Sequence, residues 1–148
     1  MRAEDIMHQE VITIKEDTKV EEIAKILSDH NISGAPVVDA DDRIVGIVTE
    51  GDLLHKLTNP RVPGFMGLLG GIIYFNGVER YREDFKKLAA LKAAEIMTTN
   101  VVTVNRNADI KELASIMVEQ GIKRLPVVEN DRVVGIISRA DIIKTMAQ

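Results

Sequence analysis

The chain has no cysteine and no tryptophan among its 148 residues, and only five aromatic side chains. Without cysteine there is no disulfide framework, no thiolate nucleophile and no thiolate-held metal or cluster. Charge of one sign is also lacking: 19 Lys and Arg stand against 23 Asp and Glu, a net −4, so no basic field exists to hold nucleic acid or an anionic membrane. The longest apolar run, Gly64 to Phe75, is twelve residues, too short to cross a bilayer. Met1-Arg2-Ala3-Glu4-Asp5 lacks the pattern of a signal peptide. What remains, 45% hydrophobic and 28% charged, is the composition of a folded globular chain. A soluble, cytoplasmic protein is the expectation.

The chain repeats itself. Ala3 to Asp41 aligns with Ala93 to Asp131 at an offset of ninety. Asp42 is then one extra residue, and Arg43 to Leu57 aligns with Arg132 to Met146 at eighty-nine. Eighteen of the fifty-four aligned pairs are identical, in the order Ile-Met, Val-x-Thr, Pro-Val-Val, Val-Gly-Ile and Asp. Such ordered identity means duplication.

Each copy reads β-α-β-β-α. Val11–Ile14 and Val101–Val104 are β-branched runs that predict strands. Val20, Ile23, Ala24, Leu27 and Ile110, Leu113, Ala114, Met117 recur at i, i+3, i+4, i+7, an apolar stripe along a helix. Thr18 with Glu21 predicts a capping box on the first of these helices, and Asn107 a start for the second. Pro36-Val37-Val38 and Pro126-Val127-Val128 open a second strand. Ile44–Thr49 and Val133–Ser138 form a third, and Asp52–Leu57 and Asp141–Met146 a last helix. A unit of about fifty-five residues is marginal alone. The two copies are therefore expected to pack into one pseudo-symmetric α/β (α+β) module, sheet to sheet, with a cleft where they meet. Residues 1–57 make the first repeat, 58–92 an insert and 93–148 the second repeat.

The insert holds all five aromatics, Phe65, Tyr74, Phe75, Tyr81 and Phe85. Its prolines and glycines predict a loop, and Val78, Tyr81, Phe85 and Leu88 an amphipathic helix that packs on the repeats or on a partner. Charge is unevenly shared. The first repeat carries six basic against thirteen acidic residues, the insert six against three, and the second repeat seven of each.

No catalytic constellation stands out. His8, His30 and His55 lack a second ligand at metal-binding spacing and read as surface or helix-end histidines. No phosphate loop, dinucleotide fingerprint or zinc-protease motif is present. What recurs is Gly46-Ile47-Val48-Thr49-Glu50-Gly51-Asp52 and Gly135-Ile136-Ile137-Ser138-Arg139-Ala140-Asp141. A hydroxyl followed three residues later by an acid is first a helix cap. The same N-terminus offers free N–H groups and partial positive charge to an anion, and its aspartate can accept from a ribose diol. Together they suit a nucleotide.

With these motifs in both copies, the chain resembles a CBS (cystathionine-β-synthase type) domain pair, or Bateman module, of the stand-alone bacterial and archaeal type, over residues 3–57 and 93–147. The resemblance implies a regulatory module and no enzyme. It implies up to two inter-repeat sites for adenosine-containing ligands (AMP, ADP, ATP or S-adenosylmethionine), with no required cofactor and no metal. A homodimer and an unidentified regulated protein are the implied partners; the alternative is a ligand-free scaffold acting through protein contacts. Carried onto this sequence, Asp52 and Asp141 hold ribose hydroxyls, Thr49 and Ser138 flank ribose and phosphate, and the strand positions around Thr13 and Thr103 line the adenine pocket. The loops Ser33, Gly34, Ala35, Pro36 and Lys123, Arg124, Leu125, Pro126 complete the two sites.

The copies differ in charge. Lys123, Arg124 and Arg139 stand where the first copy has Ser33, Gly34 and Glu50. Charge-assisted contacts to phosphate contribute about 1.5–3 kcal/mol each. The expectation is therefore a nucleotide phosphate held by the second repeat, with Asp141 beneath it, and a weaker first-repeat site.

Overall fold

The computed structural model describes residues 1–58, 82, 83 and 85–148. The expectations for Phe65, Tyr74, Phe75, Val78, Tyr81 and the Gly/Pro loop fall outside them.

The first repeat opens with a short helix α1 (Ala3–Ile6), followed by β1 (Ile14–Lys15), α2 (Val20–Asp29), β2 (Gly34–Val38), β3 (Ile44–Thr49) and α3 (Glu50–Leu57). Residues 85–90 are helical (α4). The second repeat follows as α5 (Ala93–Ile96), α6 (Ile110–Glu119), β4 (Arg124–Glu129), β5 (Arg132–Ser138) and α7 (Arg139–Met146). β1 runs parallel to β2, with Ile14 opposite Val37, and β2 and β3 form an antiparallel hairpin. β4 and β5 repeat that hairpin, each copy with a bulge at the equivalent place, Val37/Val38 and Val127/Val128. The second turn is the two-residue loop Asn130-Asp131, both at positive φ (52° and 63°), the geometry whose twist suits a tight hairpin. In the first copy the extra residue, Asp42, takes φ 61° instead, and Asp39 Oδ1 accepts from the N–H of Asp41 and Arg43.

The leading segments change places. Ala3 N–H donates to Ala108 O (2.9 Å) and Glu4 N–H to Arg106 O (3.0 Å), while His8 and Ile136 exchange both backbone bonds. Reciprocally, Ala93 N–H donates to Thr18 O (2.8 Å), Ala94 N–H to Glu16 O (3.0 Å), and Thr98 and Ile47 exchange both bonds. Each core is thus completed by the other repeat's first helix. Ile14, Val20, Ile23, Leu27, Ala35, Val37 and Val48 enclose Ala93 and Ile96, and Val104, Leu113, Met117, Leu125, Val127, Ile137 and Ile142 enclose Ala3.

This exchange explains where sequence expectations and structure part. Residues 9–13 bridge from the second repeat's β5 to the first repeat's β2, so only Ile14 and Lys15 of the expected strand join a ladder. In the second copy Val104 alone pairs, with Val127. Thr18 does not cap α2. Lys19 is the N-cap, without a side-chain bond, and Leu91 O accepts from Val20 N–H at 2.8 Å, so a carbonyl preceding the second repeat does the capping. Asn107 likewise yields to Asp109, whose carboxylate accepts from Lys111 N–H at 2.8 Å. Of the two stripes, Ala24 is exposed, and Ile110 and Ala114 are half-buried.

The exchange also accounts for the repeated Val-Gly-Ile. A Cβ at Gly46 would lie 2.4 Å from Met97 Sδ and 3.0 Å from Thr98 O, and one at Gly135 would lie 2.4 Å from Met7 Sδ. The thioether after each leading helix rests on the glycine of the other repeat. Gly46→Ala, read by urea denaturation, is expected to cost about 1–3 kcal/mol, because the methionine and the backbone behind it must both move. An unchanged midpoint would mean that Met97 finds another rotamer without loss.

Candidate functional site

The hydroxyl–acid pairs cap their helices as their spacing predicts. In α3, Asp52 Oδ2 accepts from Thr49 N–H (2.9 Å) and Thr49 Oγ1 (3.1 Å), and Thr49 Oγ1 accepts from Asp52 N–H (3.2 Å). In α7, Asp141 Oδ2 accepts from Ser138 N–H and Ser138 Oγ, both at 2.7 Å, and Ser138 Oγ accepts from Asp141 N–H at 3.3 Å. One carboxylate oxygen is consumed by the cap in each case, leaving Oδ1. The Thr98 hydroxyl meets Asp52 Oδ1 at 3.3 Å, and His8 Nε2 meets Asp141 Oδ1 at 2.7 Å. Positions 8 and 98 correspond under the ninety-residue offset. Burial raises the Asp141 pKa, but the Ser138 bonds and His8 outweigh it, and the carboxyl sits below its ordinary range.

Beside α3 opens a cleft of about 360 Å³, within the size range of small-molecule sites. Ile47, Thr49, Glu50 and Gly51 form one wall, with Ser33 beside them, and Thr98, Asn100, Val101 and Val102 form a second. Gly121, Ile122, Lys123, Arg124 and Pro126 close it. Its lining brings together the apolar Val101 and Val102, Thr49 at a helix N-terminus, and the cations Lys123 and Arg124. Arg124 reaches across the repeat boundary and donates to Ser33 Oγ. Its guanidinium lies against Gly34, where a Cβ would come within 2.9 Å of Nη1. Burial draws the Arg124 pKa down, against the pull of Glu50 and Asp52.

The expected site residues are therefore recombined. The cations of the second repeat, Lys123 and Arg124, share a cleft with Thr49 of the first. Arg139 does not line this cleft: its N–H donates to Lys123 O at 3.0 Å and its Nε to Ile122 O at 2.9 Å, and Ser138 and Asp141 lie at the other helix start, beside His8. Leu125 and Ala35 are fully buried and belong to the two cores, and Pro36 is buried too, since β2 is buried along its whole length. Thr13 is exposed and Thr103 half-buried, and neither lines this cleft; of the strand positions around Thr103, Val101 and Val102 do.

Thr98, Asn100, Gly121 and His8 were not anticipated as site residues. The signal that could have found them is the offset itself, because the segment after Ile-Met has a counterpart in each copy. Among the described residues no cluster of three or more His, Asp or Glu is placed to hold a metal ion, and no helix is long and apolar enough to cross a membrane.

Two interleaved repeats with a capped aspartate at each α3/α7 start define a known class. The CBS domain profile matches residues 3–59 and 93–148, and the chain belongs to the CBS domain family. Protein MJ1426 of Methanocaldococcus jannaschii is 29% identical over 154 residues, covering 99% of this chain and 91% of its own. The crystal structure of the CBS domain of a CBS-domain-containing membrane protein from Sphaerobacter thermophilus is 31% identical, with a TM-score of 0.74 over 97% of this chain and 86% of that one. The CBS domain pair of protein MJ0100, solved in complex with 5′-methylthioadenosine and S-adenosyl-L-methionine, is 27% identical, with a TM-score of 0.72 over 99% of this chain and 96% of that one. The chain spans 41%, 31% and 23% of three longer M. jannaschii relatives, the last an inosine-5′-monophosphate dehydrogenase.

Proposed function

We propose that this CBS pair is a regulatory module that takes an adenosine-containing ligand, AMP, ADP or ATP foremost, in the cleft beside α3. The observation that carries the reading is the meeting in one cleft of Val101 and Val102, of Thr49 and Thr98, both bonded to Asp52 behind them, and of the Lys123 and Arg124 cations. The two valines suit an adenine face, Asp52 a ribose diol and the cations a phosphate. The ligands of the MJ0100 pair, both adenosine compounds, support the same class. The phosphate preference first assigned to Asp141 passes to this composite cleft, because Lys123 and Arg124 line it. Occupancy acts by shifting populations between states of the module that bind the ligand differently.

A second reading, a scaffold acting through protein contacts, has its own support. Leu54, Val118, Ile143 and Met146 on α3, α6 and α7 are 60–79% exposed, large apolar side chains that a second copy or a regulated protein would cover. A homodimer through these helices is compatible with either reading.

A thermal-shift panel with AMP, ADP, ATP, S-adenosylmethionine, NADH and, as a control, GMP tests the proposal. A ligand at a hundred times its Kd adds about 2.7 kcal/mol. For this chain length that raises Tm by roughly 5–10 °C. Shifts with adenine but not guanine nucleotides support the sensor. No shift with any of them on ligand-free protein favours the scaffold.

A further inference from the structure

The two aspartates hold equivalent places, yet their outer oxygens are engaged unequally. At Asp52 the partner is a threonine hydroxyl at 3.3 Å, beyond the usual O–H···O range, and a small neutral group that can rotate aside. At Asp141 it is the His8 imidazole at 2.7 Å, a short contact to a carboxylate that is only 8% exposed. The His8 backbone is pinned on both sides, its N–H donating to Ile136 O (2.9 Å) and its carbonyl accepting from Ile136 N–H (3.0 Å). The ring cannot leave with its chain. It must turn about its own side-chain bonds into solvent, where 62% of the side chain already lies.

A ribose diol needs acceptor sites on the carboxylate. Oδ2 of Asp141 already takes two bonds from Ser138, so Oδ1 is the oxygen a diol would use. We propose that His8 is an occupancy-determining residue: it holds Asp141 Oδ1 against the diol of an adenosine ligand, so the position built on Asp141 fills only after the cleft built on Asp52. The inference rests on the adenosine reading above and adds to it an order of filling. His8 closes one half of a duplicated device that Thr98 leaves open in the other.

The test is calorimetric titration of the full chain with 5′-methylthioadenosine, whose lack of phosphate removes the influence of Lys123 and Arg124, and in parallel with AMP. Wild type is expected to show one equivalent of tight binding and a second at least about 10-fold weaker, the low end of what displacing one charge-assisted hydrogen bond implies. His8→Thr, which installs the residue of the other copy, is expected to bring the second equivalent to within a few-fold of the first. Thr98→His is expected to weaken the first by roughly 10- to 150-fold. Circular dichroism and Tm confirm that each variant is folded. Two equal equivalents in wild type, or a folded His8→Thr protein whose second equivalent is unchanged, would overturn the role of His8 and leave the adenosine reading standing. Absence of heat from both probes in wild type and His8→Thr alike would overturn both.

Discussion

Replacing Lys123 and Arg124 together by alanine is expected to weaken ATP and AMP by about 100-fold or more while leaving adenosine nearly untouched. Two charge-assisted contacts to phosphate, at about 1.5–3 kcal/mol each, set that scale. The contrast between nucleotide and nucleoside carries the argument, since lost packing would penalise both equally. Lys123 is exposed and its removal disturbs nothing else, whereas Arg124 also bridges to Ser33 and covers Gly34. The single variants therefore divide the effect: Lys123→Ala reads charge alone, and Arg124→Ala reads charge plus the cross-repeat contact. Glu50, on the same cleft wall, opposes an incoming phosphate and pulls on Arg124. Glu50→Gln is expected to move the nucleotide affinity the other way, by a few-fold. Titration calorimetry with ATP, AMP and adenosine measures all of these. Equal losses for adenosine and AMP would make the cations structural.

Asp141→Ala is expected to cost about 2–3 kcal/mol of stability at pH 7, and Tm to fall by roughly 5–10 °C. The carboxylate satisfies Ser138 N–H and Ser138 Oγ at the start of α7 and takes His8 across the repeat boundary, so its loss strands polar groups at a buried position. The pH dependence has a definite sign. The folded-state pKa of Asp141 lies below its ordinary value, held there chiefly by Ser138 and His8 against burial. Its stabilisation is therefore fully present above the unfolded carboxyl pKa, about 3.9, and is lost as pH falls through the lower folded value. The stability gap between wild type and Asp141→Ala, measured by urea denaturation from pH 7 to pH 3, is expected to narrow only below about pH 4. A gap that stayed constant to pH 3 would assign the loss to packing.

Much of this molecule could be read from local pattern. The duplication, the hairpins after each Pro-Val-Val and the capping boxes at Thr49 and Ser138 depend on residues close in sequence, and each formed at the expected place. What depended on the partner repeat could not be read. Thr18 has the right neighbours for a cap, but Leu91 O gets there first. Val11–Ile14 has the composition of a strand, but most of it spans the gap between two sheets. The pairing of loops across the repeats was not legible either, because reading along a line assigns each loop to the aspartate of its own repeat, whereas in space Lys123 and Arg124 line a cleft with Thr49.

The exchanged leading helices also impose an order on how the chain can acquire its shape. The first repeat's core needs Ala93 and Ile96. A ribosome that has released only residues 1–58 has therefore produced a sheet and two helices with one side of their apolar interior uncovered. Ala3, the first buried residue of the chain, waits for Leu113, Leu125 and Ile137. The earliest residues made are among the last to be enclosed. Synthesis thus carries a long-range closure whose entropy is repaid only when the second repeat arrives, and the two halves become native together or not at all.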